Sequence, residues 1–313
     1  MYISIFLCED VSSPLLAFLS PALNDSIHLP TVDKLKMLKQ NPINLFPFAD
    51  VLSKEINAEQ FAKSFLLQPH LYLRSRPGKQ KAVIAALQEQ NIETSIDGDC
   101  IQLKNAVDLN DVKGLNRNFV IQDKQSQKVF NNLPKESITT VWDCCAASGG
   151  KSILLVDTIQ QHIQLCITDV RKNILENAKA RLATAGIPIY NADVKDLTKQ
   201  NNNSNTNSFD LIICDVPCTG SGTWSRTPEQ LYFFKRNQVA SYTNRQLLIA
   251  TNSSQQLNKN GLLVYITCSV FDAENESIIA QLCQSDFILE SKQYYRGYNE
   301  QADTLFVAVL RKQ

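Results

Sequence analysis

Two cysteines stand just beyond apolar runs of a kind that forms buried strands. Cys218 follows FDLIICD in the segment DVPCTGSGTWSRTPE, and Cys268 follows GLLVYIT in CSVFDAENE. Neighbouring strands would make the two thiols face one another across a crevice, and with Asp215 beside them they permit nucleophilic chemistry. A buried cysteine is more often a small apolar filler, so other thiol chemistries need weighing. Metal binding wants closely spaced ligand pairs, whereas these cysteines are 50 residues apart and the three histidines, His28, His70 and His162, lie near neither. No C-x-x-C follows an early strand, and no G-x-S-x-G marks a serine nucleophile.

A second group of residues outlines a cofactor pocket. After VWD comes CCAASGGK, in which Ala146, Ala147, Gly149 and Gly150 let the chain approach a ligand closely and turn into a helix. The next run ends in Asp169, where an acid can accept hydrogen bonds from both hydroxyls of a ribose. Asp193 follows the third run and would meet the adenine side. The loop matches neither G-x-G-x-x-G nor G-x-x-x-x-G-K-[ST], which counts against a dinucleotide and against a phosphate-cradling loop despite GGKS.

The elements that must position these groups are legible from residue 138 onward. ITTVWD, IQLCITD, IPIY, FDLIICD and GLLVYIT read as parallel strands covered on both faces. Between them VRKNILENAKARLATAG has helical spacing and a Gly186 stop. Alternation of strand and helix predicts an open α/β sheet, with ligands beyond the C-terminal strand ends. The polar run from Thr198 to Ser208 reads as a surface excursion. Upstream, LYLRSR, a turn at Pro77 and Gly78, the helix KQKAVIAALQEQ and a strand-turn-strand predict a compact α+β module. Residues 1–60 read as short helices broken by prolines.

Composition narrows the function classes. The 313 residues carry 31 basic and 31 acidic side chains, so a polyanion would have to be met by a local patch; residues 61–140 hold a small positive excess. No apolar run approaches the ~20 residues of a membrane span, and the N-terminus has acids and no early basic region. Nine cysteines, several in strand-like apolar surroundings, predict free thiols in a reducing cytoplasm.

DCCAASGGK, DVPCTGSGTWSRTPE and YITCSVFDAENE resemble the motifs of the RNA cytosine-5 methyltransferases of the NOL1/NOP2/Sun family, including its bacterial 16S ribosomal RNA members. FVIQDKQSQKVF at 119–130 and the closing DTLFVAVLRK are similar as well, so the resemblance covers roughly residues 70–313. It implies a Rossmann-like S-adenosylmethionine-dependent sheet at 131–313 preceded by a small α+β RNA-binding module at 61–130; residues 1–60, which the resemblance does not reach, are expected to be a helical region. By resemblance Cys268 is the attacking cysteine, Cys218 assists product release and Asp215 lies beside cofactor and base. Cys144, Ala146, Ala147, Ser148, Gly149, Gly150, Lys151, Asp169, Asp193 and Asp215 would hold the cofactor. Lys151 and Arg226 are expected to favour a thiolate at Cys268. Arg74, Arg76, Lys79, Lys81, Trp224 and Arg226 are expected to hold RNA. Ser148 stands where the family usually has proline, and Thr304 and Leu305 replace a common Gly-Phe, a packing change. The expected partner is ribosomal RNA or a small-subunit assembly intermediate, with the protein a monomer. Transfer RNA is the other substrate of the same chemistry, and a noncatalytic ribosome-assembly protein the reading from another class.

Overall fold

A computed structural model of the chain describes residues 2–105, 107–134, 138–199 and 208–313. Four short helices open it: α1 (Tyr2–Cys8), α2 (Pro14–Leu19), α3 (Pro21–Asp25) and α4 (Thr31–Met37). Phe6, Leu16 and Ile27 bury one another in a small cluster of their own. The following stretch belongs elsewhere. Phe46, Ile56 and Phe61 join the main core, Leu52 bridges Phe271, and α5 (Ala58–Ser64) packs with them. The expected boundary at residue 60 therefore falls inside a segment docked on the large sheet.

The α+β module is built from β1 (Leu71–Ser75), α6 (Gln80–Glu89), β2 (Thr94–Asp97), β3 (Cys100–Leu103) and β4 (Phe119–Ile121), in the antiparallel order β2-β3-β1-β4. Val83 and Leu87, four apart on one face of α6, cover Leu73, Ile101 and Phe119.

A seven-stranded sheet follows, built from β5 (Thr140–Asp143), β6 (Gln164–Asp169), β7 (Asn191–Val194), β8 (Phe209–Asp215), β9 (Leu257–Thr267), β10 (Phe287–Arg296) and β11 (Thr304–Lys312). Its order is β10-β11-β9-β8-β5-β6-β7, parallel through β7 to β9 and antiparallel at β11 and β10. Helices α7 (Gly150–Ile159) and α8 (Lys172–Thr184) cover one face; α9 (Pro228–Phe233) leads to α10 (Gln238–Ser254) and α11 (Glu276–Cys283) on the other. Alternation along the strands divides the core, as two-residue periodicity demands. Leu211 and Ile213 face α7 and α8, while Ile212 and Cys214 face α10. The order reverses between β5 and β8, so their C-terminal ends open a crevice. Gly186, at φ +71°, ends the α8 segment as expected.

IPIY is not a strand. The third parallel strand is NADV one step later, an exposed edge whose alternation carries no apolar signal. Of the polar run before β8, residues 200–207 lie outside the described residues. All nine cysteines are free, and no helix among the described residues is long and apolar enough to cross a membrane.

Candidate active site

The loop after β5 is shaped by backbone contacts with the strands beside it. The Cys144 N–H continues the ladder to Ile213 O at 3.0 Å, and the Ala146 N–H reaches Thr168 O at 2.9 Å. Ala147 takes the left-handed conformation, φ 45°, and its N–H donates to Asp169 Oδ2 at 3.0 Å. Gly149, φ 78°, then turns the chain into α7, a conformation that favours glycine. Ser148 points away from the cleft, where Arg181 donates to its Oγ at 2.6 Å and its carbonyl at 2.8 Å. That clamp holds the turn where a proline ring would otherwise stiffen it, and it keeps the Ser148 side chain off the cleft that the loop was expected to line. Of the expected loop residues, Cys144 and Ala147 line the cleft; Ala146, Gly149 and Gly150 shape the turn behind it.

The cleft measures about 610 Å³ and runs along the ends of β5, β6, β8 and β9. Asp169, Val170 and Arg171 stand at one end. Burial raises Asp169, but side-chain and backbone donors of Arg171, with the Ala147 N–H, outweigh it and hold the carboxyl below its ordinary range. Leu197 and Ile249 form apolar walls, and Lys195, Asp196 and Thr198 complete that side. Asp193 is absent from it. On the exposed edge strand, it accepts from Asn191 Nδ2 at 2.7 Å, and the acid that lines this part of the cleft is Asp196.

Asp215, Cys218 and Cys268 stand at the opposite end, the two sulfurs 3.4 Å apart. Lys151 Nζ pairs with Asp215 Oδ2. Burial works against the Lys151 ammonium, yet Asp215, together with Cys268 and Asp143, raises it above the ordinary lysine value. A fixed positive charge therefore sits beside the thiols. The hydrogen bond with Cys268, then burial, pushes the Cys218 thiol far up, so Cys218 rests neutral.

The loops bearing the cysteines are laced through buried Glu274, within the motif AENE. Its carboxylate accepts from Thr219 N–H at 2.9 Å, Thr219 Oγ1 at 2.6 Å, Gln246 Nε2 at 2.9 Å and Ser269 Oγ. Gly222 N–H donates to Cys268 O at 2.8 Å, and Val270 N–H to Ser221 Oγ at 2.9 Å. Sequence reasoning passed over Glu274 because a surface acid in a helix's first turn looks the same in one dimension.

Several expected RNA contacts are structural. Trp224 is 1% exposed among Phe46, Phe234 and Phe271, and its indole N–H donates to Thr219 O at 3.1 Å. Arg74 on β1 and Arg76 just past its end both bind Asp157 of α7, at 2.6 and 2.9 Å. Arg226 donates to Asp303 at 2.6 Å, Asp123 at 2.8 Å and His70 O at 3.0 Å. It ties the α+β module to the start of β11, leaving Lys151 to supply the field at the thiols. Lys79 and Lys81 are exposed. Thr304 and Leu305 are buried at 0% and 2%, in keeping with a packing change.

Asp143, under the loop, is a group the sequence did not flag. Burial pushes it up to about 7, against the Ser152 hydroxyl that donates to it at 2.6 Å. The unfolded chain loses this proton near pH 4 and the folded chain near pH 7, so the folded state binds more protons between them. Stability falls there as pH rises, by about 1.4 kcal/mol per unit. Asp143→Asn is expected to lack that slope: urea unfolding midpoints at pH 5 and pH 7 should converge relative to wild type, and an unchanged slope would refute the assignment.

The sheet order, the glycine turn and the strand-end acids define a Rossmann-like methyltransferase fold whose cleft carries paired cysteines at one end. Residues 131–308 match the family model described as 16S rRNA methyltransferase RsmB/F, and the chain belongs to that family. It is similar to the probable ribosomal RNA small subunit methyltransferase B of Bacillus subtilis (strain 168), 30% identical over 238 residues, 72% of this chain and 52% of that protein. The ribosomal RNA small subunit methyltransferase B of Vibrio vulnificus (strain YJ016) is 28% identical over 243 residues, 72% of this chain and 56% of that protein. The chain thus spans about half the length of the curated relatives it matches. Among solved structures, NSun6 from Pyrococcus horikoshii shares the fold with a TM-score of 0.72 at 15% identity, covering 87% of this chain and 96% of that one.

Proposed function

We propose that this protein is an S-adenosylmethionine-dependent RNA cytosine-5 methyltransferase acting on 16S ribosomal RNA. The observation that carries the reading is the pair of sulfurs 3.4 Å apart, beside the Lys151–Asp215 ion pair, at one end of a nucleoside-sized cleft. The residues fit the cofactor: Asp169 for ribose hydroxyls, Ala147 for close backbone approach, Leu197 and Ile249 for the adenine faces, Asp196 at its edge. When bound, S-adenosylmethionine supplies an electrophilic methyl group. Arg171 bonds both oxygens of Asp169 while its own side chain is 57% exposed, so a ribose can share or displace it.

Cytosine C5 is a weak nucleophile until a thiolate adds at C6. Cys268 makes that bond and pushes electron density onto C5. Asp215, held by Lys151, meets N3 and the exocyclic amine, where charge develops. Once C5 carries the methyl group its proton must leave, and Cys218 assists that removal; the Cys268–C6 bond then breaks. The target base reaches the thiols only after leaving its stack.

Lys79 and Lys81 support an RNA role for the α+β module. They stand at the positive end of α6, where cations are unfavourable, with no carboxylate partner among the described residues. Free cysteines support a reducing cytoplasm. Transfer RNA stays a second reading because the yeast multisite-specific tRNA:(cytosine-C(5))-methyltransferase is 30% identical over 156 residues. Cytosine-5 methylation mapping of all stable RNAs, with and without the gene, tests the proposal: loss of one 16S site is expected, loss confined to transfer RNA selects the second reading, and no loss anywhere favours an assembly role.

A further inference from the structure

Helix α9 joins the Cys218 loop to α10 and is anchored from beneath. Leu231 and Phe234 pack into the core, with Phe234 4.8 Å from Trp224 and stacked 5.6 Å from Phe271. Gln230 lies against Gly220, two residues from Cys218; a Cβ on that glycine would be 3.7 Å from Gln230 Oε1. Against this fixed underside, Tyr232 and Phe233 are 83% and 71% exposed, their rings 5.1 Å apart and nearly perpendicular. Two adjacent exposed rings on an anchored helix beside a reactive cleft bury nothing for the fold itself.

The arginines expected to hold RNA, Arg74 and Arg76 at the α+β module's β1 and Arg226 ahead of α9, are all bound to carboxylates. By contrast, Lys235 and Arg245 have no carboxylate partner among the described residues, while Arg236 pairs with Asp50. Helix α10 contains no acid at all, and Arg245, 5.9 Å from the Tyr242 ring, lines the cleft together with Cys218. Glu229 is the single acid of α9. Exposed aromatic faces interleaved with unpaired cations match a single-stranded polyanion with stackable bases better than an acidic or apolar protein surface.

We propose that α9 and the first half of α10 form a rim that holds single-stranded RNA, Tyr232 or Phe233 stacking on a base next to the target cytosine while Lys235 and Arg245 neutralise its phosphates. This rests on RNA being the substrate and adds where the strand lies. Base stacking on an aromatic ring contributes on the order of 1–3 kcal/mol, so losing it costs about tenfold in affinity.

The test uses the full chain and a 12-nucleotide single-stranded RNA with one cytosine and a neighbouring 2-aminopurine. Wild type is expected to quench the 2-aminopurine fluorescence. The double variant Tyr232→Ala, Phe233→Ala should lose the quenching and bind about tenfold more weakly, and Phe233→Trp in a Tyr232→Ala background should restore both. Arg245→Gln and Lys235→Gln should each lower the slope of log affinity against log salt by about 0.7. Unchanged affinity and quenching in the double variant, failure of wild type to bind the RNA, or loss of a protein partner with RNA binding intact would each overturn the rim. Methyl transfer to total stable RNA is measured separately, so a wild type that quenches without transferring leaves the rim standing and defeats the proposed reaction.

Discussion

Replacing Cys218 by alanine is expected to make a covalent protein–RNA adduct accumulate, whereas replacing Cys268 by alanine should abolish both adduct and methyl transfer. The two thiols touch, so position alone does not separate their roles; the segments that carry them do, Cys268 standing in YITCSVFDAENE and Cys218 in DVPCTGSGTWSRTPE. Cys268 lies in the field of the Lys151 ammonium. Cys218 is held neutral by its bond to Cys268 and by burial. Attack needs a thiolate, which the Lys151 ammonium favours at Cys268, whereas a neutral Cys218 can take the C5 proton only after releasing its own. Losing the attacking sulfur removes the only activation of C5, a loss of at least about 10⁴-fold by comparison with other enzyme nucleophiles. Losing Cys218 leaves attack intact and slows release, so a band of labelled RNA that survives denaturing electrophoresis should appear with Cys218→Ala and be missing from Cys268→Ala. If Cys268→Ala forms the stable band, the assignments exchange.

The cysteine end of the site was readable because strand ends are local signals. FDLIICD and GLLVYIT are apolar enough to be strands, and the residues just past them are at the crevice whatever the rest of the chain does. The cofactor end was read less well for a physical reason. NADV is an edge strand with one face open to water, so it carries no apolar alternation, and the stronger pattern of IPIY drew the strand and Asp193 out of register. The RNA contacts failed differently. Trp224 beside Arg226 looks like a stacking ring with a phosphate ligand, yet Phe46, almost 180 residues earlier, covers it, and Asp123 and Asp303 neutralise the arginine. Arg74 and Arg76 likewise meet Asp157 only through tertiary packing. Burial and pairing over such separations have no signature within a window of sequence. The free cations and rings of α9 and α10 lay outside any motif, which is why the motif-led reading passed them by.

Gly222→Ala is expected to lower turnover by about 100-fold while leaving cofactor affinity within about threefold. The glycine lies in the short turn Ser221–Thr223 and fits between two backbones. A Cβ there would stand 2.1 Å from Thr304 O and 2.9 Å from Cys268 O. Neither neighbour is a flexible side-chain tip: Thr304 begins β11 and is fully buried, and Cys268 directly follows β9. The added methyl must therefore displace the turn by about 1 Å, and with it the loop that carries Cys218 away from Cys268. A shift of that size in reacting groups typically costs about 10²-fold, and overpacking adds about 1–3 kcal/mol of destabilisation. Asp169 and Ala147 at the far end of the cleft are untouched, so the cofactor should still bind. Gly220→Ala is the control. At φ +74° it incurs backbone strain of about 1 kcal/mol, but its Cβ would clear every neighbour by 3.6 Å or more, so it should lower stability without misplacing the thiols. Comparing single-turnover rates, cofactor affinity and unfolding midpoints of the two variants separates the effects: equal losses of turnover would show that the turn tolerates displacement and that the 3.4 Å contact of the sulfurs is not what sets the rate.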